Sequence, residues 1–113
     1  MSITLFDITD EDKGRNVSNA NFSQLLELVG LNDKLDCYGG KLEGIELVEF
    51  NLKLKSLNSI VKKNQLEFTT KTIVEKGLNG AISIDLGKNA DYWERLINDI
   101  LNISEKATTI VWC

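Results

Sequence analysis

The sequence contains no histidine and no proline, only two cysteines, and no apolar run long enough to cross a membrane. Without histidine the chain lacks the commonest general base near neutral pH and the commonest zinc ligand. Histidine-dependent triads, His-Glu-x-x-His sites and facial triads are thereby excluded, whereas acid–base chemistry by carboxylates alone stays open. Cys37 and Cys113 form no Cys-x-x-Cys motif and fit a reducing compartment. With no histidine to activate them they read as small apolar side chains rather than nucleophiles. No stretch approaches the ~18 continuous apolar residues of a membrane span. The start, Met1 to Asp7 followed by Asp10, Glu11 and Asp12, lacks the basic residues and apolar run of a signal peptide. A soluble cytoplasmic protein is expected, in which the sequons at Asn16, Asn21 and Asn102 have no consequence.

What is present is an ordinary globular composition: 113 residues, 42% hydrophobic and 27% charged. This length accommodates one domain, residues 1–113, with no repeat or linker. Net charge is −4, unevenly spread: residues 1–50 carry ten acids and four bases, residues 51–113 seven acids and nine bases. That balance is unsuited to nucleic acid, which is gripped by clustered Lys and Arg. An acidic face for a basic partner, or simply a solvated surface, fits it. Asn, Lys and Ile each occur eleven times, a bias typical of AT-rich genomes.

Along the chain, Ile3, Leu5, Phe6 and Ile8 indicate a short strand with a bulge, followed by an acidic turn through Asp10 to Gly14 and an extended stretch over 15–17. Phe22, Leu25, Leu26 and Val29 form one helical stripe. Asn21 can cap that helix, with Gln24 in a capping-box position and Ser18 or Asn19 as rivals. Gly30 suits the left-handed residue after its end, with Leu31 folding back. A short extended segment over 37–44 leads to a second helix, about 44 to 62, with a stripe of Leu47, Phe50, Leu54, Leu57 and Val61. Ile45, Val48 and Leu52 form a second stripe that widens its first half. Glu43, Glu46 and Glu49 early and Lys53, Lys55, Lys62 and Lys63 late complement the helix dipole, and Glu49 and Lys53 have the favourable i,i+4 order.

From Leu66 the period changes to two, and Ile82 to Leu86 alternates again after Asn79-Gly80, the signature of a hairpin. A third helix is expected from Asn89 to about Ala107, burying Trp93, Leu96, Ile97, Ile100 and Leu101. Thr108 to Cys113 should be a strand, held inside a sheet or against a second subunit. The pattern predicts an α+β fold: a mixed or antiparallel sheet of about four strands with three helices mainly on one face.

Three places carry candidate binding groups. Asn16, Asn19 and Asn21 gather at a helix N-terminus, where free backbone N–H groups favour polar or anionic ligands; helix capping and Asx-turns would gather the same residues. Tyr38-Gly39-Gly40 permits close approach to a ligand, or merely a turn, and lacks phosphate-loop context. Tyr92 and Arg95 in the third helix have the composition of an interface or stacking pocket, although Arg95 can instead pair with Asp91 or Asp99. No catalytic residue, metal ligand or cofactor is assigned.

The succession Asn16-Val17-Ser18-Asn19-Ala20-Asn21, Leu25 to Leu31, Tyr38-Gly39, Tyr92-Trp93-Glu94-Arg95-Leu96 and Ile110-Val111-Trp112 resembles a group of small uncharacterised bacteriophage and prophage proteins. These have an N-[VA]-[SA]-N-A-N stretch at a helix entrance and a Y-x-x-R-L helix followed by a strand with Trp. The resemblance covers residues 14–50 and 87–113 and implies a phage-type origin without an established activity. Together with the missing catalytic groups it leads to the expectation of a non-enzymatic accessory protein that binds a host component. Its partner would be a host protein, as for an anti-defence inhibitor, or a small signalling ligand, as for an oligomeric nucleotide sponge. In the sponge Trp112 would be the oligomer contact, with Tyr92, Arg95 and the Asn cluster forming the pocket. Alternatives are an acidic immunity protein that covers a toxin's active site, a carboxylate-only enzyme and a purely structural role.

Overall fold

The computed structural model describes residues 1–63, 72–75, 82–85 and 90–113. Its elements run β1 (Ser2–Asp7), β2 (Asp10–Ser18), α1 (Asn19–Leu28), β3 (Gly40–Glu43), α2 (Gly44–Lys63), β4 (Thr72–Glu75), β5 (Ile82–Asp85), α3 (Ala90–Ser104) and β6 (Thr109–Trp112). Four strands form an antiparallel sheet in the order β2-β1-β6-β3, and β4 pairs antiparallel with β5 in a second, two-stranded sheet. This is the expected α+β architecture, including the short strands before α1 and α2. The Leu66–Lys71 run, the Asn79-Gly80 turn and the Asn89 cap fall outside the described residues.

Alternation along the strands divides the main sheet into two faces. Ile3, Leu5, Val17, Leu42, Ile110 and Trp112 are buried and share one core with residues of all three helices. Thr4, Phe6, Lys41 and Val111 occupy the opposite face and are partly or fully exposed. The final strand is internal: Trp112 pairs with Leu5 on one side and with Gly40 on the other.

The first turn comes earlier than its acidic composition indicates. The Asp7 carboxylate accepts from the Thr9 backbone N–H and hydroxyl, both at 2.9 Å, so the chain reverses at Ile8-Thr9. Residues 10–14 are therefore strand, not turn. The expected irregularity is present as a register shift: Leu5 opposes Arg15 but Asp7 opposes Asp10.

Local chemistry sets both ends of α1. Ser18, extended at φ −65° and ψ 148°, is the N-cap, and its hydroxyl accepts from the Asn21 N–H at 3.1 Å. Asn21, the expected cap, thus lies one turn inside the helix. At the other end Gly30 has φ 76°; its N–H reaches Glu27 O at 3.1 Å, and the Leu31 N–H reaches Leu26 O at 2.8 Å. These bonds make a Schellman cap, and Leu26 and Leu31 are both buried beside it.

The α2 stripe of Leu47, Phe50, Leu54, Leu57 and Val61 is buried as expected, but Ile45, Val48 and Leu52 face outward at 85%, 58% and 59% exposure. The cause is the orientation imposed by α3. Ser104 and Asn51 exchange two hydrogen bonds, Asn58 Nδ2 donates to Asn98 Oδ1 at 3.2 Å, and Lys55 meets Glu105 at 2.8 Å. These contacts align α2 and α3 antiparallel and leave the second stripe pointing away from the core. Glu49 and Lys53 form no ion pair among the described residues.

Trp112 packs so closely on β3 that a Cβ at Gly40 would lie 2.4 Å from Trp112 Cζ2. Gly40→Ala must displace a buried indole, and overpacking of this kind costs about 1–3 kcal/mol. Urea unfolding should show a lower midpoint with an unchanged slope.

Candidate functional site

The polar segment leading into α1 is built by β2, which carries residues 16–18 along β1 before Ser18 turns the chain into the helix. Val17, between two polar neighbours, points into the core at 3% exposure. Each of the three asparagines then reaches a different part of the fold. Asn16 lies on the outer sheet face opposite Thr4, and its Nδ2 is 3.1 Å from Ile3 O and 3.2 Å from the Ser2 and Thr4 hydroxyls. Asn19 donates from Nδ2 to Cys37 O at 3.0 Å, and its backbone N–H bonds Met1 O at 3.1 Å. Asn21 donates from Nδ2 to the Tyr92 hydroxyl at 2.8 Å.

The structure thus unites Asn21 with Tyr92 and Asn19 with the loop before β3, but it does not gather the candidate residues into one cleft. Tyr92 stands edge-on to Trp93, their ring centroids 5.6 Å apart and their planes at 88°. Tyr38 is 64% exposed, and its backbone N–H donates to Asp36 Oδ1 at 2.9 Å in an Asx-turn. Arg95 is exposed on α3 in a shallow hollow shared with Asp91, Glu94, Asn98 and Asp99. Asp99 pairs with Arg15 instead, at 3.0 Å from Nε, and Arg15 Nη1 also bonds Asn16 O. Arg15 escaped the sequence reading because its partner is 84 residues away. The one hint lies in its position opposite core-facing Leu5, which aims its side chain toward the helices.

Trp112, expected at an oligomer contact, lies in the core instead. It is 1% exposed, edge-on to Phe22 at 5.7 Å, and its Nε1–H donates to Asp36 O at 2.7 Å. Its indole has no surface to offer a second subunit; the terminal strand is held by β1 and β3.

A second hollow lies between α1 and the loop over residues 32–37, lined in part by Ser23, Leu26, Asp33, Lys34 and Asp36. Two carboxylates against one ammonium repel rather than cradle a phosphate. Among the described residues no group of three acidic or cysteine side chains converges for a metal ion, and no helix is long and apolar enough to cross a membrane. No family model, curated protein or solved structure matches the chain.

The Asn21–Tyr92 bond joins α1 to α3 in a partly buried place, so its loss should lower stability. Asn21→Ala and Tyr92→Phe are each expected to destabilise by about 1 kcal/mol, and the double variant by less than their sum. Arg95→Ala should stay within about 0.5 kcal/mol. Chemical denaturation checks these, as a double-mutant cycle for Asn21 and Tyr92 and as a single variant for Arg95.

Proposed function

We propose that this chain is a non-enzymatic accessory protein of phage or prophage type that acts by binding a basic host protein. The observation that carries the reading is the β1–β2 hairpin. Along it Asp10, Glu11 and Asp12 stand on the edge strand of the sheet, the latter two exposed, with Asp7 at the turn. The nearest counter-charge, Lys13, is 3.8 Å from Asp10 and is itself 83% exposed, so it neutralises little. An acidic strand edge steers a basic surface toward it and resists pairing with another strand edge. The asparagines that would have supplied a ligand pocket are instead bonded to three other parts of the fold, which disfavours the nucleotide-sponge role.

The same edge supports a second reading, an immunity protein covering the basic active site of a toxin. A toxin gene beside the coding sequence would favour it.

The test is affinity capture from host lysate with the wild-type chain and with the triple variant Asp10→Lys, Glu11→Lys, Asp12→Lys. A basic protein should be retained at low salt, released as ionic strength rises, and lost with the triple variant. Cyclic dinucleotides should leave the melting temperature unchanged. Capture indifferent to the triple variant, or a ligand-dependent rise in melting temperature, would contradict the reading.

A further inference from the structure

The outward stripe of α2 is turned to the surface rather than packed into the core. Ile45, Val48 and Leu52 recur at i, i+3 and i+7, occupy about 60° of the helix circumference, and lie opposite the buried stripe. Three large apolar side chains exposed on consecutive turns of one rigid helix constitute a contact surface rather than scattered exposure. Their neighbours indicate what covers it. On one side α3 is engaged through Asn51, Lys55 and Asn58. The other side carries Glu46, Glu49 and Lys53, none of which forms an ion pair among the described residues.

We propose that the stripe is a homodimer interface in which α2 packs antiparallel against α2 of a second copy. Two-fold pairing about a point between Val48 and Leu52 sets each Val48 against the other copy's Leu52. In an antiparallel helix pair like flanks face each other, so each Glu49 comes beside the other copy's Lys53. The order acid-then-base along one flank is therefore self-complementary when antiparallel. A parallel pair would set this flank against the Lys55 side and lose the match. Glu46 and Glu49, with Lys34 of the same chain, also line a groove of about 130 Å³ together with Leu31, Leu35 and Leu42. The stem of the other copy's Lys53 covers that groove and extends the apolar contact beyond the stripe. The contact is distinct from the acidic hairpin, and each dimer would present two such edges, raising avidity for a repeated partner.

Sedimentation velocity over a range of protein concentrations tests this. The wild-type chain should pass from 12.7 kDa to twice that mass as concentration rises. Leu52→Lys should weaken association at least roughly tenfold, with the circular dichroism spectrum unchanged because Leu52 is not part of the core. Glu49→Lys and Lys53→Glu should each weaken it, and the two together should restore it. That charge swap keeps the proposal falsifiable whatever Leu52→Lys does to folding. A monomer at every concentration overturns the proposal and leaves the stripe to a different protein. A dimer indifferent to Leu52→Lys, or one that the double swap fails to restore, overturns it equally. The triple hairpin variant should still dimerise, so failure of host binding and failure of dimerisation are separately visible.

Discussion

The Trp112 indole, donating to Asp36 O from inside the core, is the contact on which the arrangement of the other elements depends. Trp112 stands on β6 between β1 and β3, touches Phe22 of α1 edge-on, and lies over Gly40 so closely that only glycine fits. One side chain therefore fixes the spacing of two strands, the seat of a helix and the path of the loop that joins them. The hydrogen bond ties that packing to the loop: a buried indole N–H is costly to leave unpaired, and the Asp36 carbonyl pairs this one.

The neighbouring carbonyl, Cys37 O, is held in the same way by Asn19. Two adjacent peptide groups of one loop are thus fastened from β6 and from the entrance to α1. Asn16 and Asn21 continue the pattern toward β1 and α3. An asparagine-rich segment at a helix N-terminus has the composition of a ligand site, and here it serves as the junction of the fold. Among the described residues, the outer surface carries an acidic strand edge and an apolar helix face on different elements.

Features decided within a few residues were legible in the sequence. The α1 stripe, its Gly30–Leu31 termination and the buried face of α3 each follow from spacing and from the backbone freedom of glycine. The choice among Ser18, Asn19 and Asn21 as cap was open, because each can accept a helix N–H; the extended backbone at Ser18 decides it. Features decided at long range were not legible. Both stripes on α2 have helical spacing, and the outward one is set by partners on α3 some 40 to 53 residues away, at Asn98 and Ser104. Trp112 could belong to a core or to an interface on sequence grounds, and only its pairing with Leu5 and Gly40 settles it. The Arg15–Asp99 pair spans 84 residues, and only the register of Arg15 opposite Leu5 hints at it.

Trp112 as the internal pin is tested by the unfolding free energy of Trp112→Phe, with its native mass taken on the same sample. Phenylalanine keeps a ring but removes the donor to Asp36 O and leaves space unfilled. Trp112→Phe is expected to lose about 1–3 kcal/mol while keeping the mass-versus-concentration behaviour of the wild-type chain. Unchanged stability, or altered self-association of a still-folded chain, would contradict the assignment of Trp112 as the internal pin.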